Sequence, residues 1–422
     1  MTARYDTIII GGGLAGVTSA YTLAKAGQSV LLLEAKDGLA QGASYANGGM
    51  VTPSMPDPWN GPGVGKHLFQ SLFDPTSPMK LRPKAIPGLT RWGLAFLRNS
   101  MPARHRHAIE ANYALADYSA QLTHTLAQEM LSDAPIYDSG VLKVFEDEVS
   151  FQSQLANAKL LGSRGLKYHV LSPQEVVERE PVLGGAQTNL RHGIYYSSDL
   201  SGDAHLFTNA LGQRATDLSV EICRQSPVMS FVIQHGRVVG VKTAHQQYLA
   251  DHIVLAAGAH TPALARKAGL YFPIKPAKGY SVTLAMHGWN QRPTIPIVDD
   301  AMHAAVTPLG DYLRVVGTAE FTGFDPKISQ DRIDNLLALF KRLYPDLERS
   351  ADTTSASSWA GFRPMSADGI PFIGRTKRSG LWVNAGHGHL GWTMAMGSAA
   401  LLTDAVLGKT PAIDMAPYAP VR

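Results

Sequence analysis

Several features that would define a protein class at once are scarce in this 422-residue sequence. Cys223 is the single cysteine, so no disulfide can form within the chain, and a reducing compartment is the expected setting. The 38 basic and 34 acidic residues nearly balance and form no basic block, which argues against nucleic acid as a partner. No uninterrupted apolar run reaches the roughly 18 to 20 residues of a membrane-spanning helix. We therefore expect a soluble cytoplasmic protein, or at most one that lies peripherally on the inner face of the cell membrane.

The composition is that of an ordinary folded protein. Hydrophobic residues make up 45% of the chain and charged residues 17%, which excludes a disordered protein. At 422 residues the chain is long enough for two domains, or for one domain that carries a second inserted in it.

The first forty residues carry a dinucleotide-binding pattern. Residues 7–10 have the β-branched, uniformly apolar character of a buried parallel strand. Gly11, Gly13 and Gly16 follow as G-x-G-x-x-G at the start of a predicted helix, whose free N–H groups can bind pyrophosphate. Glu34 ends the next predicted strand, where a carboxylate binds ribose hydroxyls. The alternative, a glycine-rich turn in an unrelated α/β protein, leaves Glu34 as a coincidence.

Two further segments favour a large flat cofactor such as FAD over NAD. Residues 41–53 are mostly small, which lets the main chain lie against a ring system, although a flexible surface loop would have the same composition. A second buried strand is predicted at 253–256, and it ends in the small residues 257–259, which can adjoin a cofactor without a clash.

Residues 380–408 read as a strand, a glycine-spaced turn and a helix that begins near Gly391. The positive end of such a helix suits the negative charge of a two-electron-reduced flavin. His387 and His389 resemble a metal pair, but no cysteine or carboxylate lies near them in sequence, so we predict no metal site.

Five segments together resemble the D-amino acid oxidase superfamily of FAD-dependent oxidoreductases, most closely the bacterial D-amino acid dehydrogenase small-subunit group. These are the N-terminal fingerprint and the sequences ANGGMVTPSMPDPWNGPG, KPAKGYSVT, GFRPMSADGIPFIGRT and NAGHGHLGWTMAMGS. The resemblance covers nearly the whole chain in matching order. It implies an α/β fold in which a Rossmann-like FAD-binding domain with a parallel sheet is interleaved with an α+β substrate domain on a mostly antiparallel sheet.

The resemblance also implies the division of the chain. We expect a discontinuous FAD-binding domain at 1–55, 193–270 and 355–422, and a substrate-binding domain at 56–192 and 271–354. FAD is expected to be bound without a covalent link, because no cysteine matches the attachment position of related sarcosine oxidases. The predicted cofactor contacts are Gly11, Gly13, Leu14, Ala15, Gly16, Glu34, Ala35, Gly42, Ala43, Ser44, Asn47, Gly48, Gly49, Val228, Ala257, Gly258, Gly361, His387, Gly388, His389, Leu390, Gly391, Trp392 and Thr393.

Arg363 stands among apolar residues, where a guanidinium is costly unless an anion meets it. In the family this arginine of the G-x-R-P motif binds the substrate carboxylate, and Gly361 to Pro364 match that motif. The alternative is an internal ion pair with Asp368 or another acid. Tyr280 and His389 are further candidates for substrate binding and catalysis.

The resemblance implies oxidation of a D-amino acid, or a related imino acid, and we expect this to proceed by hydride transfer from Cα to flavin N5. The resulting imine hydrolyses to a 2-keto acid and ammonia, and the electrons pass to a quinone-type acceptor. No general base is assigned; His387, His389, Tyr45 and Lys278 are candidates. Two alternatives remain open: an oxidase or dehydrogenase of glycine, sarcosine or D-hydroxyproline, and a non-catalytic dinucleotide-binding protein.

Overall fold

The computed structural model describes residues 4–70, 79–129, 134–302, 304–347 and 351–422. Helices and strands are numbered in chain order. The helices of the described residues are α1 (Leu14–Lys25), α2 (Val64–Gln70), α3 (Ile86–Asn99), α4 (Pro102–Glu129), α5 (Glu148–Gly162), α6 (Pro173–Arg179), α7 (Ala204–Asp217), α8 (Thr261–Lys267), α9 (Gln330–Leu343) and α10 (Ala395–Val406).

The first sheet has eight strands around a parallel centre. Its members are β1 (Arg4–Ile10), β2 (Val30–Leu33), β10 (Glu221–Cys223), β11 (Ser230–Gln234), β12 (Arg237–Lys242), β13 (Gln247–Leu255), β19 (Phe372–Arg375) and β20 (Leu381–Ala385). Strands β10, β2, β1, β13 and β20 pair in parallel, and β11, β12 and β19 add antiparallel edges. This sheet and the helix that follows β1 confirm the predicted Rossmann-like arrangement.

The second sheet has nine strands and is mostly antiparallel. Its members are β4 (Met79–Leu81), β6 (Val141–Phe145), β7 (His169–Leu171), β8 (His192–Tyr196), β14 (Ile274–Ala285), β15 (Ile297–Asp299), β16 (Ala304–Leu309), β17 (Tyr312–Phe321) and β18 (Ser357–Ser366). Only the pairs β6/β15 and β4/β17 run parallel within the described sheet. A third, small sheet joins β3 (Met50–Val51), β5 (Ile136–Tyr137) and β9 (Leu200–Gly202).

Each large sheet buries its apolar residues against helices. Ile9 and Leu32 of the first sheet pack with residues of α1, α4, α7 and α10, among them Val17 and Leu401. The second sheet packs against α9, whose buried side chains recur at helical spacing on one face. The site described below lies between these two sheets, where their connecting loops meet.

The strand pairing differs from the predicted domain boundaries at two places. β8 was expected in the FAD-binding domain from residue 193 onward, yet it pairs with β6 and β7 of the second sheet. β18 was expected there as well, yet it pairs along its length with β14 of the second sheet. Arg363 therefore belongs by backbone pairing to the sheet of the substrate domain. The remaining boundaries stay a prediction.

The predicted helix start near Gly391 is also corrected. Regular helix α10 begins at Ala395, and residues 391–394 form tight turns in front of it. The hydroxyl of Thr393 accepts a hydrogen bond from the Thr52 amide at 3.0 Å, so this turn is held by another loop before the helix can start.

Candidate active site

The three fingerprint glycines form a cradle between β1 and α1. A Cβ at Gly16 would lie 1.8 Å from the Gly11 carbonyl oxygen, so only glycine permits this approach of helix to strand. Gly11 has φ of +116°, and a Cβ there would lie 2.6 Å from the Ala256 carbonyl oxygen. Gly13 precedes α1 and supplies no side-chain cap, which leaves amides at the helix start for an anion.

Glu34 lies at the end of β2, in front of this cradle. Its Oε2 accepts a hydrogen bond from the Gly12 amide at 2.5 Å, and its Oε1 accepts one from the Lys36 amide at 2.8 Å. Each carboxylate oxygen keeps a further lone pair, so both remain able to accept from ribose hydroxyls. The Glu34 carbonyl accepts from the Ser226 amide at 2.8 Å, which brings the segment that contains the predicted contact Val228 to the same strand end.

The small-residue segment 41–53 runs from the cradle to the second sheet. Ser44 accepts a hydrogen bond from the Leu14 amide at 3.2 Å, at the start of α1. Farther along, the Gly48 carbonyl accepts from the hydroxyl of Thr307 at 2.7 Å, on β16. The segment that was predicted to face the flavin therefore crosses the space between the two sheets.

The loop after β20 lies against the strand that carries Arg363. Gly388 donates its amide to the Pro364 carbonyl at 3.0 Å, and His387 pairs with Met365 in an isolated bridge. The structure thus brings together the two motifs of the C-terminal third, although they are more than twenty residues apart in sequence.

Arg363 projects from β18 over Gly279 of β14. Its Nη1 donates to the Thr318 carbonyl at 3.2 Å, and its guanidinium carbon lies 5.4 Å from the centre of the Trp59 ring. A Cβ at Gly279 would lie 1.7 Å from Nη1, so the guanidinium occupies the space that a side chain there would fill. Among the described residues, no carboxylate lies within ion-pair distance of Arg363.

The alternative ion pair with Asp368 is excluded by the structure. Both Asp368 oxygens accept from Arg422, at 2.7 and 3.1 Å. Burial lowers the pKa of Arg363 to about 10, which still leaves the group charged at neutral pH. Arg363 is therefore a cation without an internal counter-charge in the described part of the chain.

Both histidines of the glycine-spaced loop are uncharged at neutral pH. Burial lowers the pKa of His387 to about 4, and its Nε2 lies 3.0 Å from the Ser398 hydroxyl. Burial lowers the pKa of His389 to about 3, with a smaller contribution from the charge of Arg363. His389 stacks on Trp59 with ring centres 5.3 Å apart. A group with so low a pKa is a weak base, so His389 is suited to contact a substrate amine and not to deprotonate it at neutral pH.

Tyr280 and Lys278 lie on the other face of β14 from Arg363. Successive strand residues face opposite sides, and Gly279 is on the Arg363 side. The Tyr280 hydroxyl donates to Glu320 at 2.7 Å in the core, and Lys278 donates to the Lys327 carbonyl at 2.8 Å. These contacts direct both side chains away from Arg363, so the structure does not support Tyr280 as a substrate contact or Lys278 as a candidate base.

Tyr45 lies farther out, as the exposed member of a ring cluster. It is 47% exposed and packs edge-on against His205, with ring centres 4.8 Å apart. Its ring centre is 6.2 Å from that of Trp359. Gly361 makes room for this indole, since a Cβ there would lie 2.0 Å from it. Tyr45 is thus at the solvent-exposed edge of this ring cluster.

Two site residues were not predicted from the sequence. Trp59 lies in a proline-rich segment with no periodicity, and its contacts with Arg363 and His389 depend on the tertiary fold. Thr318 has the left-handed φ of +54° in the middle of β17, at a register shift opposite Gly279. Only the adjacent small residues of GTAEF signal such an irregularity.

The site fits FAD at two separate points. The glycine cradle offers amides where a pyrophosphate would bind, and Trp392, 3% exposed, has an indole N–H without a partner among the described residues. Trp392 follows His389 by three residues, so this free donor lies in the same loop as His389. No cluster of three or more metal-binding side chains occurs in the described ranges. Cys223, in β10, is half-buried and accepts from Tyr248 at 3.7 Å, outside this site.

A dinucleotide cradle next to a buried arginine without an internal counter-charge is the arrangement expected of a flavin-dependent oxidoreductase of amino acids or related acids. The family model for FAD-dependent oxidoreductases matches residues 6–405. The chain therefore belongs to this family, and FAD is its cofactor.

Curated relatives agree with this assignment. A D-amino acid dehydrogenase of Paramagnetospirillum magneticum is 37% identical over 412 residues, which cover 97% of this chain and 96% of the relative. One from Granulibacter bethesdensis is 34% identical and covers 98% of this chain and 99% of its own. Among solved structures, a glycine oxidase from Geobacillus kaustophilus has a TM-score of 0.78 at 24% identity, with 100% of this chain and 99% of that chain covered. An L-proline dehydrogenase from P. horikoshii has a TM-score of 0.75 at 19% identity, with 97% and 95% covered. The solved structures show the shared fold.

Proposed function

We propose that the protein is a D-amino acid dehydrogenase. It would oxidise the Cα–N bond of a D-amino acid to an imine, which water hydrolyses to a 2-keto acid and ammonia. The observation that carries this proposal is Arg363, a partly buried guanidinium without an acidic partner in the described residues, next to the segments that fit FAD. The D configuration and the dehydrogenase activity are supported by the names of the relatives.

The residues around Arg363 would orient the substrate. A guanidinium binds a carboxylate through two parallel, charge-assisted hydrogen bonds, which fix the position of Cα. The Thr318 carbonyl and the Trp59 ring hold the guanidinium from two sides. Bound FAD would supply the hydride acceptor, at N5, and the chain contributes orientation and exclusion of water.

Arg363 and the burial of the site would favour the neutral form of the substrate amine, because a nearby cation and desolvation both disfavour an ammonium group. Hydride leaves Cα readily only when the lone pair of the amine nitrogen is free. His389 is close enough to the Arg363 and Trp59 cluster to accept or donate one hydrogen bond to that amine. No described side chain of this cluster has the pKa of a general base at neutral pH.

We further propose that the electrons pass to a quinone-type acceptor in the membrane, with the protein peripheral on its inner face. No helix of the described residues has both the length and the apolar character needed to cross a membrane.

Flavin reduction without oxygen tests this function. The holoenzyme is mixed anaerobically with D-amino acids, their L-enantiomers, glycine, sarcosine and D-hydroxyproline, and the yellow absorbance is followed. We expect D-amino acids to bleach the flavin and L-amino acids not to do so. In air we expect reduction of an added quinone or dye with little peroxide. Bleaching by glycine or sarcosine alone, with peroxide in air, would favour an oxidase; no bleaching by any of these compounds would reject the proposal.

A further inference from the structure

The segment that begins at β4 and runs through α3 into α4 is strongly basic. Residues 79–109 contain seven lysines and arginines and no aspartate or glutamate, whereas the whole chain has a net charge of only +4. Arg82 pairs with Glu320, and the other six lie on β4, in the turn before α3, on α3 itself and at the start of α4. These are Lys80, Lys84, Arg91, Arg98, Arg104 and Arg106.

Helix α3 is apolar on both of its faces. Trp92 and Phe96 are buried and face the protein. Leu94 is 72% exposed, and Leu97 and Met101, which is 57% exposed, continue the outward side. At 100° per residue, Leu94 and Leu97 lie opposite the buried pair, with Arg91 and Arg98 along one edge of the same outward face.

A surface of this kind matches the interface of an anionic bilayer. Leucines that project from a helix in the membrane plane enter the acyl boundary, and arginines beside them meet lipid phosphates. Exposed leucine alone is common and needs no explanation, but here it coincides with the acid-free basic segment. We propose that the outward face of α3, together with the first turn of α4, is a docking surface for a membrane that contains anionic lipid.

The docking surface is connected to the strand that carries Arg363 through the inward side of α3. The inward indole of Trp92 donates to the Met365 carbonyl at 3.0 Å, two residues beyond Arg363 on β18. Phe321, at the end of β17, packs beside Trp92 with ring centres 5.3 Å apart. Docking through α3 would therefore hold the candidate active site next to the bilayer, where a lipid-soluble acceptor is found. The docking surface deepens the proposed transfer of electrons to a membrane acceptor, and its test does not depend on turnover.

Sedimentation with lipid vesicles tests the surface. The holoenzyme is mixed with vesicles of phosphatidylcholine alone, or of phosphatidylcholine with phosphatidylglycerol, and the bound fraction is measured at low and high salt. We expect binding to the anionic vesicles that salt weakens, and little binding to phosphatidylcholine.

Two variants remove the two contributions separately. Leu94→Gln with Met101→Gln should weaken vesicle binding at least tenfold, and the control Val149→Gln, at an exposed position on α5, should not weaken it. Arg98→Gln with Arg106→Gln should weaken binding about fivefold for each cation removed. The control Lys159→Gln with Lys167→Gln removes the same charge elsewhere and should leave binding within about twofold of the wild type.

The docking surface would be overturned if the protein did not bind anionic vesicles, or if the α3 variants bound them as well as the controls do. It would also be overturned if the protein formed a dimer in solution that Leu94→Gln dissociates. That result would assign this face of α3 to a second copy of the chain. Intact turnover with a soluble dye shows that each variant is folded. Vesicle binding by a protein that oxidises no amino acid would reject the proposed function and still support the docking surface.

Discussion

Gly279 shows how one missing side chain defines the candidate site. The guanidinium of Arg363 occupies the position that a Cβ at Gly279 would take. Because the crowded atoms belong to the flexible end of an arginine, the guanidinium can move aside at little cost to folding. Its position relative to a substrate would change by an ångström or more.

We predict that Gly279→Ala separates stability from activity. The free energy of unfolding should change by less than about 1 kcal/mol, while kcat/KM should fall about 100-fold, the effect of a displacement of about 1 Å in a positioning group. Chemical denaturation and steady-state kinetics with retained flavin measure the two effects. Gly93→Ala on α3, where a Cβ meets nothing within 4 Å, is the matched control; it should leave kcat/KM unchanged and raise the free energy of unfolding by at most about 1 kcal/mol, through helix propensity alone. Full activity in Gly279→Ala would mean that the observed arginine position does not matter for catalysis.

The two sides of strand β14 have different roles: one side adjoins Arg363, and the other contacts the buried carboxylate of Glu320. Gly279 lies under Arg363, whereas Tyr280 and Lys278 face a buried charge network around Glu320. Glu320 is 1% exposed and also contacts Arg82 at 2.6 Å and Arg332 at 3.2 Å. Burial alone would raise the pKa of Glu320, but the hydrogen bond from the Tyr280 hydroxyl, followed by the charges of Arg82 and Arg332, outweighs burial and lowers that pKa.

The element-scale prediction concerns Tyr280→Phe. Loss of a hydrogen bond to a buried carboxylate should lower the free energy of unfolding by about 1.5 to 3 kcal/mol. KM for the substrate should stay within about twofold of the wild type, because the ring faces away from Arg363. Denaturation and kinetics are again the measurements. A large rise in KM with unchanged stability would restore Tyr280 as a substrate ligand.

The sequence predicts elements whose signals are local. The turn formed by the fingerprint glycines and the strands on either side of α1 are each encoded within about twenty residues, and the structure confirms these elements. The side of β14 on which Tyr280 lies could not be predicted in this way. It depends on the pairing of β14 with β18, whose residues are some eighty positions apart in sequence. The start of α10 depends likewise on the contact between Thr393 and Thr52. Motif spacing identified Arg363 as unusual but could not reveal that Asp368 already pairs with Arg422.

At the scale of the whole molecule, buried ionisable groups make stability depend on pH. Asp199 is fully buried before β9, accepts from the Ser54 amide at 3.3 Å and contacts the Ser54 hydroxyl. Burial raises the pKa of Asp199 to about 7 from its ordinary value of 3.8. Between these values the folded protein holds a proton that the unfolded chain has released, so this group destabilises the fold as pH rises through that window.

We predict that Asp199→Asn removes this dependence. The stability of the variant relative to the wild type should be constant below about pH 4, should rise between about pH 4 and 7, and should be constant again above pH 7. With about 1.4 kcal/mol per pKa unit, the total change is about 4 kcal/mol. Denaturant unfolding of both holoproteins across this range measures it. A difference that stays constant with pH would show that Asp199 has the same pKa in both states.

The most direct test of the central claim compares Arg363→Met with the wild type in anaerobic flavin reduction. The substrates are a D-amino acid and the amine of the same side chain without its carboxylate. We predict that the variant keeps its flavin and loses about 1,000-fold in reduction efficiency with the amino acid, as expected when one member of a charge pair worth about 4 kcal/mol is removed. The amine, which is slow with the wild type, should react equally slowly with the variant. A loss below about tenfold for the amino acid, or an equal loss for both substrates, would contradict the assignment of Arg363 as the carboxylate-binding group.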